Sequence, residues 1–540
     1  MERSLANDVV ESVQKTRQKL KQKKEQLASY QKQLARFNPT AFAELSEQEQ
    51  AIHKKAFQTN EGDVHYRETE QVNHEDIKIR APKGDILHQF RSDARSGKLP
   101  TVSWLVAPQS FSDHPSAPMY GAWYVSEVLN ILTENPELWK KTIFILNYDE
   151  NDGYFDHVPP FVAPNPLDKL SGKTSAGLDY SGEYVSLEQE LADGVEKEYA
   201  TEGPVGLGYR VPLIIASPWS KGGWVNSEVF DITSTIQFME HFIEKKFGKL
   251  VKEENISSWR RAITGNLTSV FRTDVAPTDE IELPFLDRDT QIAAINRARS
   301  KPIPDAFHLW SNKEIEQLNE KTGQTSSLLP VQEPGLKNSN ALCYELEALG
   351  ALLPKERVFR INMQSLTETF GQRSLNAAFN VYTGPTYKRG VMPWPFAVLA
   401  GDTVSFDWNL GDFENLQYDF SVYGPNGFYR TFKGRGQEPE PEVHISYEKN
   451  NEGKATGRLK INCYNPAKSS LQLDVVDNAY SSFEEKVLLK PGGTKQLIIN
   501  TDLSYGWYDI SLSLAKGSFR RCLAGRIETG KHSKTDPQLG

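Results

Sequence analysis

Between residues 100 and 247 short apolar runs alternate with stretches of helical periodicity, and this alternation restricts the fold more than any other feature of the chain. PTVSWLVAP (100–108), TIFILN (142–147) and VPLIIASPW (211–219) read as buried strands. APMYGAWYVSEVLNILTENP (117–136) sets Val125, Val128, Leu129 and Leu132 at i, i+3, i+4 and i+7, with Pro136 beyond its end. DITSTIQFMEHFIEKKF (231–247) opens on Asp231, placed to cap a helix. Strands alternating with helices predict an α/β fold, a mostly parallel sheet covered by helices on both faces. Ligands of such sheets lie beyond the carboxyl ends of the strands.

The flanking regions differ. Residues 9–36 contain no Gly or Pro, and Val13, Leu20, Leu27 and Leu34 recur every seven residues. The second seam, Thr16, Lys23 and Tyr30, is too polar for a good coiled coil. This predicts a solvated surface helix, either hairpinned with a returning helix over 46–57 or offered to a partner helix. Residues 300–356 lack periodicity and read as a linker. Beyond them the pattern is all-β and weakly repeated, since Tyr418 to Gly427 and Tyr508 to Gly517 each span nine residues. The expected organisation is an α/β domain over 1–310 with a helical insertion at 9–57, a linker at 311–355, and two small β-sandwich modules at 356–447 and 452–530.

A formal net charge of -9 argues against a general nucleic-acid binder, which needs a basic surface. Three scattered cysteines, Cys343, Cys463 and Cys522, give neither a disulfide framework nor a zinc spacing. No apolar run approaches the ~18–20 residues of a membrane helix, and the first residues, MERSLANDVVESVQK, lack the apolar core of a signal peptide.

The candidate site is YDENDGYFDHVPP (148–160), directly after TIFILN. An EF-hand loop is excluded, because counting from Asp149 puts Gly153 at position five and Pro160 at position twelve. Asp149 and Glu150 repel each other unless a cation or a shared proton intervenes. His157 follows a turn at Gly153, and His114 in FSDHPSAP follows the neighbouring predicted strand, so all four are expected at one sheet edge. Such a set suits metal-assisted phosphoryl transfer, in which carboxylates hold a cation and a histidine protonates the leaving oxygen. The alternative is a set of caps and loop salt bridges around solvated turns. Asp152 and Asp156 read as turn-forming or supporting residues. Tyr120, Trp123, Tyr124, Tyr154, Phe155 and Trp219 read mainly as core, with a cage for a quaternary ammonium as the other use of those near strand ends.

YDENDGYFDHVPP, SWLVAPQSFSDHPSAPMYGAWYVSEVL and YRVPLIIASPWSKGGWV together resemble the bacterial phosphocholine-specific phospholipase C family, related to acid phosphatases and to the alkaline phosphatase fold. The resemblance covers roughly 75–260 strongly and 356–530 moderately. It implies an alkaline phosphatase-like α/β sheet followed by two β domains. The implied activity is hydrolysis of phosphatidylcholine or sphingomyelin to phosphocholine, with transient membrane contact and a periplasmic or secreted location. Asp149 and Glu150 then match the acidic phosphate- or metal-site pair, with a divalent ion of unspecified identity, and His114 and His157 match the active-site histidines. The family's Glu-Asn-Arg-Ser-Phe-Asp motif and its Ser or Thr nucleophile have no counterpart here. The chain therefore resembles the C-terminal two-thirds of such an enzyme, and a sheet without its first strands is expected to expose an edge and apolar faces. The other functions compatible with the sequence are an acid phosphatase on the same scaffold, a non-catalytic binding protein and an inactive fragment.

Overall fold

The helical periodicity over 117–136 and 231–247 is realised as helices Tyr120–Thr133 and Ile232–Phe247. The computed structural model describes residues 2–56, 62–112, 114, 120–273, 287–298, 300–303, 305, 307–320 and 335–539. Contacts divide the chain into two units, Met1–Phe144 with Glu188–Ala200 and Asp279–Leu309, and Ile145–Leu187 with Thr201–Thr278 and Trp310–Gly540. Helices and sheets are mixed, and the C-terminal region is almost entirely β.

In the first unit the long helix Glu2–Arg36 leads through Pro39–Ala43 to Glu47–Lys54, where Ser46 and Glu49 form a capping box. Leu20, Leu27 and Leu34 on the long helix are exposed, and the side chain of Val13 lies outside the described residues. Lys55 ties the end of this helical region to buried Asp93 at 2.8 Å. The core forms where Val128, Ile131 and Leu132 of Tyr120–Thr133 pack with Phe111 and Leu87. A second cluster joins Ile79 and Ala81 of the hairpin Thr69–His74/Ile77–Pro82 to Ile292 and Ala293 of helix Arg288–Ala298.

The expected strand over 100–108 is absent. Residues 103–108 run without regular structure, and Trp104 and Val106 are 65% and 79% exposed. A strand needs a partner for its backbone N–H and C=O groups. Of the three strands expected, only Phe144–Asn147 and Leu213–Ala216 pair, in a two-stranded sheet that leaves Ile214 55% exposed.

In the second unit Asp231 caps Ile232–Phe247, accepting from Thr233 N at 3.0 Å, and Gly248 ends the helix at φ 63°. Its other carboxylate oxygen accepts from Arg260 Nη1 at 2.6 Å, while Arg260 also binds Glu183. All three side chains are nearly buried, so this ion cluster fixes the helix start against the loop around residue 183.

The β region is a tandem duplication. In the first module Thr403–Asn409, Val358–Ser365 and Leu346–Leu353 form one sheet, and Pro393–Val398, Ala377–Thr383, Gln417–Tyr423 and Tyr429–Arg435 the other. The second module repeats this order with Thr494–Asn500, Ala455–Tyr464 and Glu442–Lys449, then Glu484–Leu489, Leu471–Asp477, Trp507–Leu514 and Arg520–Arg526. Strand alternation builds each core. Phe359, Ile361 and Met363 are fully buried, while Arg360 faces out and pairs with its cross-strand neighbour Asp407 at 2.6 Å. Two expected boundaries need correction. Leu346–Leu353 falls inside the supposed linker 311–355, yet it pairs along its whole length with Val358–Ser365. Glu442–Lys449 pairs with Ala455–Tyr464 and so belongs to the second module rather than to 356–447.

Tyr429–Arg435 pairs antiparallel with Arg520–Arg526, fusing the two four-stranded sheets, and Lys173–Thr174 extends the result to nine strands. Across that seam the modules exchange partners. Arg430 of the first module donates to Tyr508 Oη of the second at 3.0 Å and to Glu347 at 3.3 Å. Arg521 of the second donates to Tyr418 Oη of the first at 3.1 Å and to Glu440 at 3.1 Å. Each guanidinium lies over the phenylalanine two residues before it, Phe428 at 4.1 Å and Phe519 at 4.3 Å. Gly434 is required because a Cβ there would fall on the Tyr418 hydroxyl.

Candidate active site

The acidic loop leaves the strand Phe144–Asn147 and turns at Gly153, whose φ of 85° suits only glycine without strain. Short side-chain bonds shape it. Asp149 Oδ1 accepts from Glu150 N at 3.0 Å, Asn151 Oδ1 from Gly153 N at 2.9 Å and Asp152 Oδ1 from Tyr154 N at 3.0 Å. These are Asx-type contacts, so the turn-forming expectation for Asp152 holds in its geometry. Asp149, Glu150 and His157 are exposed, all in the second unit. His114, also exposed, belongs to the first unit.

Asp156 has the most constrained carboxylate in the loop. It takes a two-pronged bond from Arg210, Nε to Oδ2 at 2.6 Å and Nη2 to Oδ1 at 2.9 Å, and accepts from Val158 N at 3.2 Å. His157 Nδ1 lies 3.2 Å from Asp156 Oδ1. The Arg210 guanidinium holds the Asp156 carboxyl well below the usual carboxylate range, and Asp156 in turn raises Arg210. Next to this pair Phe155 meets Tyr209 edge-on at 5.8 Å. The loop is thus clipped to Tyr209–Arg210, the dipeptide that precedes VPLIIASPW, leaving the 85%-exposed His157 side chain backed by a carboxylate.

Sequence patterning did not single out Arg210. It is 54 residues from Asp156 and has no periodic company, and its only signal was its place at the head of a quoted strand segment. The aromatic expectation needs correction for three residues, since Tyr154, Phe155 and Trp219 are 77%, 89% and 37% exposed rather than core. Tyr124 is buried, and Tyr120 and Trp123 pack on Phe111.

Among the described residues no group of three or more His, Cys, Asp and Glu side chains could hold a metal ion. Asp149 and Glu150 alone fall short of a closed donor set, and Asp149 already spends one oxygen on the backbone.

Residues 7–248 match the Phosphoesterase family, and residues 339–435 and 441–526 each match the C-terminal domain of bacterial phospholipase C. The chain is 35% identical over 468 residues to a non-hemolytic phospholipase C of Burkholderia pseudomallei, covering 84% of this chain and 59% of that protein. It is 35% identical over 480 residues to the non-hemolytic phospholipase C of Pseudomonas aeruginosa, covering 84% and 60%. With the hemolytic phospholipase C of the same organism it shares 35% over 496 residues, covering 86% and 61%. The chain therefore spans about three-fifths of the length of these curated relatives.

Proposed function

We propose, for a chain whose residues 7–248 match the Phosphoesterase family and whose residues 339–435 and 441–526 match the C-terminal domain of bacterial phospholipase C, a phosphodiesterase activity of the phospholipase C type. The substrate is a phosphocholine-bearing lipid, phosphatidylcholine or sphingomyelin, and the product is phosphocholine. The observation that carries this is the clip Arg210–Asp156–His157 at the base of the Asp149–Glu150 loop. A carboxylate fixed by a guanidinium can accept from His157 Nδ1, which sets the ring and leaves Nε2 as the nitrogen that exchanges a proton. In this role His157 gives that proton to the leaving alcohol oxygen of the diester. By the resemblance His114 is an active-site histidine, and Asp149 and Glu150 supply the charge around the phosphate. The bond-making nucleophile is not among these residues.

The same reading assigns 1–310 to an alkaline phosphatase-like α/β domain, with transient contact at a lipid surface and a periplasmic or secreted location. Among the described residues no helix is long and apolar enough to cross a membrane.

The test is release of phosphocholine from phosphatidylcholine vesicles, run beside hydrolysis of p-nitrophenyl phosphate. The expected result is preference for the diester and loss of release in His157→Ala. Preference for the monoester would favour an acid phosphatase, and unchanged release in His157→Ala would remove that residue from the mechanism.

A further inference from the structure

Tyr382, Tyr423 and Tyr429 stand on one face of the fused sheet, on the neighbouring strands Ala377–Thr383, Gln417–Tyr423 and Tyr429–Arg435. Register puts them together: Tyr423 is directly opposite Tyr429, and Tyr382, opposite Ser421, lies diagonally from Tyr423. This face is turned away from the first module's core, because the alternating residues Phe379, Val381, Phe420 and Val422 are fully buried there. The ring centroids of Tyr382 and Tyr423 are 5.8 Å apart, and those of Tyr423 and Tyr429 are 4.8 Å apart. Tyr423 is 45% exposed, and the other two are half-buried. Burial pushes the Tyr429 phenol up to about 12 and also raises Tyr382, so both rings stay neutral.

Cross-strand pairing of aromatics stabilises a sheet without any ligand. Two further observations point beyond that role. Among the described residues no lysine or arginine lies over any of the three rings, whereas Phe428, in the turn between two of these strands, carries the Arg430 guanidinium at 4.1 Å. Asp419 is the only carboxylate that the three strands contain, and its cross-strand neighbour Lys433 takes it at 3.1 Å. The row thus offers bare ring faces with no free acid beside them. The second observation is its place. Asn380, the register partner of Tyr423, donates Nδ2 to Pro160 O at 3.3 Å, which ties this part of the sheet to the end of the acidic loop.

We propose, resting on the phospholipase C reading above, that these three tyrosines dock the protein on a lipid surface by holding choline headgroups beside the one being cleaved. The ring faces attract a cation through their quadrupoles. A primary ammonium or a guanidinium brings N–H donors that need an acceptor, and Asp419 is already taken. A quaternary ammonium has no N–H to satisfy, so ring faces alone suffice for it. An anionic headgroup would meet the negative face of each ring.

The test is co-sedimentation of the full chain with vesicles of phosphatidylcholine or of phosphatidylethanolamine, each mixed with the same fraction of phosphatidylglycerol. The expected result is stronger binding to the phosphatidylcholine vesicles, relieved by excess choline but not by 3,3-dimethylbutanol, its uncharged isostere. Tyr423→Leu, which keeps apolar bulk and removes the ring, is expected to weaken that binding about threefold or more, and Tyr423→Phe to retain it. Tyr382→Leu provides the reading if Tyr423→Leu does not fold. Equal binding to the two vesicle types, equal relief by choline and its isostere, or undiminished binding by the folded leucine variants would each overturn the proposal. Binding of choline without binding of vesicles would also overturn it, making the row a site for the free amine. Hydrolysis of soluble p-nitrophenyl phosphocholine tests the phospholipase C reading separately. Its absence beside an intact vesicle preference would remove that reading and leave the docking row standing.

Discussion

Replacing Arg521 by Met should be among the most damaging single changes in the β region. The side chain is 5% exposed and faces Glu440 at 8%. It donates to Tyr418 Oη, to Glu440 and to two main-chain carbonyls, Lys433 O at 2.9 Å and Arg520 O at 3.1 Å. Methionine fills similar volume but leaves a carboxyl in a dry site where, among the described residues, the Tyr418 hydroxyl is its one remaining hydrogen-bond donor. Removing one member of a buried ion pair costs about 3–5 kcal/mol. With an m-value of about 2–3 kcal/mol per molar urea, that lowers the unfolding midpoint by roughly 1–2 M. The control is Arg360→Met, whose pair with Asp407 is about two-fifths exposed and worth about 0–1 kcal/mol. The loss should also depend on pH. Burial already raises the Glu440 carboxyl, and Arg521 is the largest influence holding it down. An acid whose folded pKa lies above its unfolded value makes folding less favourable as pH rises beyond the unfolded value of about 4.3. Arg521→Met should therefore be more deficient at about pH 8 than at about pH 5, and Arg521→Met/Glu440→Gln should recover part of the difference. Equal midpoint shifts for Arg521→Met and Arg360→Met in urea unfolding would refute the argument.

Four other outcomes follow from the geometry. Asp156→Asn should lower phosphocholine release at least tenfold, on the order of 1.4 kcal/mol in the barrier, while shifting the unfolding midpoint little, because Arg210 is largely exposed. Since Arg210 holds the Asp156 pKa down, the clip should persist unchanged from about pH 8 to pH 5 and weaken only in stronger acid; loss of release between those values with the ion pair intact would have to come from another group. Gly434→Ala should lose about 1–3 kcal/mol in thermal or urea unfolding by driving a methyl into Tyr418, whereas Gly182→Ala, with open space around its Cβ position and no left-handed backbone, should cost less. Trp104→Lys should change stability by less than about 0.5 kcal/mol yet raise solubility, because the ring is exposed; a large loss of stability would mean that the ring is buried in solution.

Local chemistry was the part of this molecule that could be read directly from the sequence. Helix Ile232–Phe247 begins at the expected cap because Asp231 needs only its own next two residues to act, and Tyr120–Thr133 follows its apolar stripe. The Tyr418–Gly427 and Tyr508–Gly517 spacing marked the duplicated modules because the repeated hairpins have nearly the same length. Residues 100–108 misled because an apolar run is a strand only when another strand pairs with it. LEALGALL, 346–353, was hidden because its strand shows no period-two alternation, and its pairing with Val358–Ser365 sets its place. In the candidate site the loop and its turns were legible, but Arg210 was not, since an ion pair 54 residues apart leaves no mark on either local pattern.

The reciprocal arginines carry a consequence for how this region arose. A surface on which one copy's arginine meets the other's tyrosine, and the reverse, is isologous, so one ancestral module would already have matched a second copy of itself about a two-fold axis. Joining the copies in one chain replaces an association that depends on dilution with one fixed at an effective concentration of about millimolar or more. Fusion also releases the symmetry. Phe432 sits opposite Arg521, and Leu523 opposite Arg430, so the two halves of the seam now vary independently while each still completes the other.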